Sequence, residues 1–219
     1  MRVIEHILST IAPHNCVGCD QEGSLLCSVC VACLPNVPAR CYRCFKSTSS
    51  FITCQACRKQ SPLFSVQPFT LYEGVAKELV HKLKFERAKA GAAAIADMLA
   101  KAIVLPPNVV LSHVPTATNR VRERGYDQAA LIAKQFAYKS GASYLPLLTR
   151  LGQQRQVGKT RAERQQQMRE LFMVTKQNPP KTVVLIDDVI TTGATLEACA
   201  RILKAAGAKQ VSAVVFAAA

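Results

Sequence analysis

Val3, Ile4, Ile7, Leu8 and Ile11 fall on one side of a helical wheel and Pro13 closes the segment, so the chain predicts a short amphipathic helix at its start. Beyond a cysteine-rich stretch the pattern changes. VQPFTLYEG alternates as a strand does, GVAKELVHKLKF and GAAAIADMLAKAIV return to helical spacing, and VVLSHV is an apolar run of strand length. A basic loop, a helix over 127–138, a short strand near 144–148 and the polar segment TRLGQQRQVGKTRAERQQQ follow. The last third reads as a strand over 182–186, a turn, a helix over 195–206 and a strand over 211–216. Strands that alternate with helices, the last of them apolar on both sides, predict an α/β fold with a parallel sheet flanked by helices.

Composition adds a second unit. Nine of the ten cysteines lie between Cys16 and Cys57, in the pairs CVGC (Cys16, Cys19), CSVC (Cys27, Cys30), CYRC (Cys41, Cys44) and CQAC (Cys54, Cys57), with Cys33 overlapping the second pair. No apolar run reaches the roughly 20 residues of a membrane helix, and Glu5 with His6 interrupts the apolar start. Neither membrane insertion nor a secretory leader is expected. In that setting C-x-x-C pairs read as zinc knuckles, because two intervening residues let both thiolates face one ion, and four pairs in series favour metal over redox chemistry. Eight ligands make two structural zinc sites, formed by consecutive knuckles or by interleaved ones. Cys33 could replace Cys27, but the preferred ligands are Cys27 and Cys30. So small a module has little apolar surface, so the metal supplies folding energy. The expected division is an N-terminal zinc-ribbon module over 1–62 and an α/β domain over 63–219.

The formal charge is +14, with most of the excess between residues 72 and 176. That balance points to an anionic partner: a polynucleotide, a polyphosphate or a phosphosugar.

The stretch VVLIDDVITTGAT, 183–195, carries the chemistry. Its apolar start places Asp187 and Asp188 at the carboxyl end of a buried strand, where open α/β sheets bind ligands. Gly193 permits close backbone approach, the helix that follows aims its amides and dipole into the turn, and Thr191, Thr192 and Thr195 add hydroxyls. Such a turn suits a phosphate monoester. Two carboxylates would repel that phosphate; they suit sugar hydroxyls and a Mg²⁺ ion held between sugar and pyrophosphate. A phosphorylated ribose satisfies both halves. The segment GQQRQVGKT, 152–160, imitates a nucleotide P-loop but has five residues where that loop has four. It reads better as a basic loop able to close over a pyrophosphate.

Four apolar residues, two acids, three residues and then TGAT closely resemble the 5-phosphoribosyl-1-pyrophosphate (PRPP) motif of type I phosphoribosyltransferases. The order LCSVCVACLP, LYEGVAKELVHKLKFER, RVRERGYDQAALIA, QVGKTRAERQQQMRELF and then this motif resembles the ComF family along nearly the whole chain. The resemblance implies a cytoplasmic bacterial protein of natural transformation, a zinc module joined to a phosphoribosyltransferase-like domain, in contact with single-stranded DNA and other competence proteins. Matched residue by residue, it implies that Asp187 and Asp188 orient the ribose and that Thr191, Thr192, Gly193, Ala194 and Thr195 bind the 5-phosphate. Arg122, Arg124, Lys159 and Lys84 of KLKFER are the residues expected to neutralise the pyrophosphate. Arg122, Arg124, Gly125, Tyr126 and Gln128 match the family's R-x-R-G-[FY]-[ND]-Q run, and Gln156, Arg161 and Arg164 its Q-x-G-x-x-R-x-x-R loop. The strand usually close to V-P-V-P in relatives is SHVPTATNR here, with His113 expected to be a packed or hydrogen-bonded residue. Three functions fit: a PRPP-binding protein of DNA uptake, a biosynthetic or salvage phosphoribosyltransferase acting on a base or amine, and a zinc-containing DNA-binding adaptor with PRPP as regulatory ligand.

Overall fold

A computed structural model describes residues 14–85, 88–151 and 171–219. The expected N-terminal helix lies outside them, as do Lys159 and the loop residues Gln156, Arg161 and Arg164. The cysteine module contains two short α-helices, Ser28–Ala32 (α1) and Gln55–Arg58 (α2), with a 3-10 turn at Ser49–Phe51 between them. The α/β domain runs Val66–Leu71 (β1), Gly74–Phe85 (α3), Ala88–Ala102 (α4), Val110–His113 (β2), Thr118–Arg124 (α5), Gln128–Ser140 (α6), Ser143–Tyr144 (β3), Leu148–Arg150 (β4), Phe172–Val174 (β5), Thr182–Ile190 (β6), Ala194–Ala205 (α7) and Gln210–Ala218 (β7).

Five strands form one parallel sheet in the order β1-β7-β6-β2-β3, and β4 pairs antiparallel with β5 in a separate ribbon. The central strand β6 shows why both faces must be covered. Side chains alternate along a strand, and Val184 and Ile186 enter one core while Val183 and Leu185 enter the other. The first core is built by α3, α4 and α6, through Leu79, Leu83, Ile95, Leu99, Ile132 and Phe136. The second is built by α7, through Leu196, Cys199 and Leu203.

The cysteine module covers the β1 edge, where unpaired backbone groups would otherwise be open to another chain. An Asn36–Thr70 bridge, an Ile52–Ser65 bridge and a 2.9 Å bond from Thr70 Oγ1 to the Pro35 carbonyl fasten it. Its first half lends Cys16, Leu25 and Leu26 to one core, and its second half packs Tyr42 against the other.

Several elements differ from the sequence reading: the single strand expected near 144–148 is divided between β3 and β4, β5 was not expected, and two further differences bear on the site. Strand β6 continues beyond residue 186, pairing Val189 with Ala217 and Ile190 with Ala218, so the acids lie inside the strand and not past its end. The β-branched pair Val189–Ile190 sustains the ladder, and the acids are tolerated because this end of the sheet opens on a cleft. The expected basic loop contains α5, a seven-residue helix with no side-chain cap bond at its start, stopped by Gly125 in the left-handed region (φ 79°). A helix this short, without a capping residue, leaves little trace in periodicity.

Candidate functional site

Because β6 keeps its alternation to the end, the adjacent acids diverge. Asp188 belongs to the α3 face, where Lys84 Nζ from the last turn of that helix stands 2.8 Å from its Oδ2. The pair is off hydrogen-bond geometry, and that buried oxygen has no hydrogen-bond partner among the described residues. The contact is an ion pair that leaves Oδ2 open to a better-aligned donor or a cation. Asp187 belongs to the α7 face. Burial first, and the charge of Asp188 second, push its carboxyl well above the ordinary range, with Lys84 pulling weakly the other way. Cys199, buried in α7, is likewise raised, by burial and then by Asp187. Each acid also accepts a backbone N–H from the residue after it, Asp188 N to Asp187 Oδ1 at 2.9 Å and Val189 N to Asp188 Oδ1 at 2.8 Å.

Beyond Ile190 the chain turns through Thr191, Thr192 and Gly193 into α7. Gly193 is the N-cap, at φ 76°, a conformation that side chains other than glycine adopt only with strain. With glycine as cap there is no side-chain bond to the first helical turn, although Thr192 Oγ1 accepts from Ala194 N at 3.4 Å. The first-turn amides and the dipole of a 12-residue helix are thus turned towards a cleft whose walls include Thr191 and Thr195.

That cleft, about 340 Å³, gathers Asp187, Asp188, Thr191, Thr195 and Lys84 with Thr116, Arg120, Gln128 and Arg150. Several of the sequence-derived residues therefore meet. Thr192, Gly193 and Ala194 form the turn but do not line the cleft. Arg122 is solvent-exposed, and Arg124 binds Gln128 Oε1 through Nη1 at 3.1 Å with its guanidinium 5.0 Å above the Phe85 ring; neither lines the cleft.

Arg120, Arg150, Thr116 and Asp127 escaped the sequence reading of the site. Asp127 caps α6 by accepting from Ala130 N at 3.1 Å, and it pins the loop after β2 by accepting from Thr116 N at 2.8 Å and Thr116 Oγ1 at 3.1 Å. An aspartate immediately before a helical pattern was the available signal. Arg150, on β4, is lowered by burial and lies over the Phe172 ring at 5.3 Å, with Nε lacking a hydrogen-bond partner among the described residues. His113 is buried, bonded through Nδ1 to the Tyr144 hydroxyl at 2.8 Å and held below its ordinary value by burial, as a packed residue should be.

In the module the cysteines gather as Cys16, Cys19, Cys27, Cys30 and as Cys41, Cys44, Cys54, Cys57, each set with its sulfurs within 4.8 Å of one another. Consecutive knuckles therefore pair, and exposed Cys33 stands outside both sets. A tetrahedron with zinc–sulfur bonds of ~2.3 Å has sulfur–sulfur edges of about 3.8 Å. The observed Cys19–Cys27 and Cys44–Cys54 separations are 3.7 and 3.6 Å, so both sets could hold structural zinc. Thiolate character is built in at one member of each. Burial opposes ionisation at Cys16 and Cys41, but backbone N–H groups outweigh it and bring both down to about 6; the donors are Cys27, Gly18 and Cys19 for the first, Cys54, Arg43 and Cys44 for the second.

A parallel sheet flanked by helices, with an acidic pair in its central strand and a Thr-Gly turn feeding a helix, defines a phosphoribosyltransferase-type domain. The sequence model of the phosphoribosyl transferase domain matches residues 123–219. Over most of its length the chain is similar to curated proteins named ComFC and YhgH. It is 27% identical over 195 residues to competence protein ComFC of Streptococcus pneumoniae, covering 87% of this chain and 86% of the relative. DNA utilization protein YhgH of Salmonella typhimurium is 27% identical over 201 residues, covering 85% and 87%. Competence protein ComFC of Bacillus subtilis is 38% identical over 96 residues, covering 43% and 38%. The ComF resemblance drawn from the motifs is thus matched by homologues that span both the cysteine module and the α/β domain. No helix among the described residues is long and apolar enough to cross a membrane.

Proposed function

We propose that this chain binds PRPP with Mg²⁺ in the cleft at the carboxyl end of the sheet, as a cytoplasmic protein of DNA uptake. The observation that carries the reading is the convergence of an acidic pair, a hydroxyl-lined helix N-terminus and three cations in one cleft. The 5-phosphate would lie against Thr191, Thr195 and the amides of the turn, where the helix dipole favours an anion. Asp187 and Asp188 would accept hydrogen bonds from the ribose hydroxyls, and hard carboxylate oxygens suit Mg²⁺. Lys84, Arg120 and Arg150 would face the pyrophosphate, with Lys159 of the loop outside the described residues completing the set. Stabilising a departing pyrophosphate while orienting the ring is what phosphoribosyl transfer requires. The relatives' names, competence protein and DNA utilization protein, support a role with incoming single-stranded DNA. The basic surface, with exposed Arg122, supports backbone contact by counterion release.

Thermal melting with PRPP and Mg²⁺ tests the binding. The parent protein should be stabilised, and the double variant Asp187→Asn, Asp188→Asn should not. An unprotected parent would overturn the reading.

A further inference from the structure

The two residues enclosed by the third knuckle, Tyr42 and Arg43, both leave the cysteine module for the phosphate-binding turn. The Tyr42 ring lies directly on Gly193: a Cβ built there would fall 2.8 Å from Tyr42 Cε2 and 3.0 Å from Cδ2. The Tyr42 hydroxyl donates to Glu197 Oε1 at 2.6 Å and lies 2.6 Å from Ser61 Oγ. Glu197 sits in the first turn of α7, its backbone N–H donating to the Gly193 carbonyl at 2.9 Å. Arg43 Nε approaches the same Oε1 at 3.2 Å, and Arg201 Nη2 holds the other oxygen at 2.7 Å.

Side chains in a C-x-x-C knuckle have little freedom once both sulfurs face one ion, because the backbone between them is fixed. Here those side chains form a lid over the glycine of the turn and a clamp on the helix behind it. Charge-assisted bonds to a mostly buried carboxylate are among the stronger contacts available, and Glu197 accepts from Tyr42 and Arg201 while pairing its charge with Arg43 as well. Among the described residues the first cysteine set shows no such link: of the two residues enclosed by its leading knuckle, Val17 packs against the first core and Gly18 lies against Cys30 and Val75, on the opposite side of the sheet.

We infer that Tyr42 is a positioning residue through which metal at Cys41, Cys44, Cys54 and Cys57 sets the geometry of the 191–195 turn, so that zinc at this set and ligand at the turn are thermodynamically linked. As far as it names PRPP as the ligand, the inference rests on the function proposed above; the mechanical link between knuckle and turn does not. Linkage is reciprocal. A turn ordered by the knuckle binds more tightly, and a bound phosphosugar slows metal loss from that set and not from the first.

The test compares the zinc-loaded parent with Tyr42→Phe, which keeps the lid and loses the clamp, Tyr42→Ala, which loses both, and Val17→Ala as a first-knuckle control. Amide exchange of residues 191–196 followed by mass spectrometry needs no ligand. It should quicken roughly tenfold in Tyr42→Ala and by less in Tyr42→Phe, at unchanged zinc content, and stay at the parent rate in the control. Equal exchange in parent and Tyr42→Ala overturns the inference. In a second arm, PRPP with Mg²⁺ should bind roughly tenfold more weakly to Tyr42→Ala, and should slow chelator-driven release of one zinc per chain in the parent. A parent that binds no PRPP overturns the proposed function while the exchange arm still decides the link. A parent that binds it and releases both metals at the ligand-free rate overturns the link.

Discussion

Lys84 Nζ stands 2.8 Å from Asp188 Oδ2 at the floor of the cleft, so a cation of the chain itself occupies the acid that the ribose reading gives to sugar and metal. Removing one partner of a mostly buried ion pair leaves the other charge uncompensated, at a cost of about 3 kcal/mol when burial is complete and less here, where Lys84 is partly exposed. Lys84→Met should therefore melt below the parent in metal-free buffer. Mg²⁺ offers Asp188 a replacement cation, so millimolar Mg²⁺ should recover more melting temperature in the variant than in the parent. Equal Mg²⁺ responses in a paired melting series would refute this account of the pair.

Asp187 makes stability depend on pH. Its carboxyl is raised by burial and by Asp188, so the folded chain holds that proton more tightly than the unfolded chain does. The sign follows: this contribution is fully present below the ordinary aspartate value of ~3.9 and is lost as pH rises through the raised folded value. Asp187→Asn imitates the protonated form. At mildly alkaline pH the ligand-free variant should melt about 2–4 °C above the parent, the shift that ~1 kcal/mol produces in a chain of this size, with the gap closing at acid pH. A constant gap across the pH range would contradict it.

The cysteine sets predict a metal count. Purified protein should carry two zinc ions per chain, released to a colorimetric indicator when thiols are modified. Cys33→Ser should leave the count unchanged, because Cys33 lies outside both sets, whereas Cys27→Ser should bring it to about one. Loss of metal on Cys33→Ser would mean that the overlapping knuckle uses the alternative spacing.

What was legible in the sequence depended on range. The strands and helices on either side of VVLIDDVITTGAT follow from local periodicity, and the grouping of Asp187 and Asp188 with Thr191 and Thr195 needed only one strand, one turn and one helix. The pairing of consecutive knuckles, left open by spacing alone, is decided by how the module folds over the β1 edge. Lys84 was assigned to the site from the segment KLKFER, but its partner was not, because helix α3 meets β6 across 104 residues of sequence. Nothing local marks Tyr42 as the lid on Gly193, and the position of Asp127 before a helix signals its cap but not its bond to Thr116. Arg150 was hidden for another reason: the β4–β5 ribbon joins segments separated by the long polar stretch.

The basic run RVRER separates the two kinds of reading most sharply. Taken as a loop, it offers Arg122 and Arg124 to the pyrophosphate by motif; folded as α5, it spaces its side chains by about 100° per residue. Arg120 and Arg122 then point some 200° apart, so one can line the cleft only if the other faces away. Both are exposed, but Arg120 lines the cleft and Arg122 does not. Under the proposed function, Arg120→Ala should weaken PRPP binding by about tenfold, as expected for loss of one charge-assisted phosphate contact of ~1.5 kcal/mol. Arg122→Ala should leave PRPP affinity within about twofold and instead lower single-stranded DNA affinity, reducing the salt slope by roughly 0.7, the contribution of one phosphate contact. Titrations of both variants against PRPP with Mg²⁺, and against an oligonucleotide at several salt concentrations, check the assignment. If Arg122→Ala weakens PRPP and Arg120→Ala does not, the helix must rearrange when ligand binds, and the motif match will have located the pyrophosphate contact better than the ligand-free geometry does.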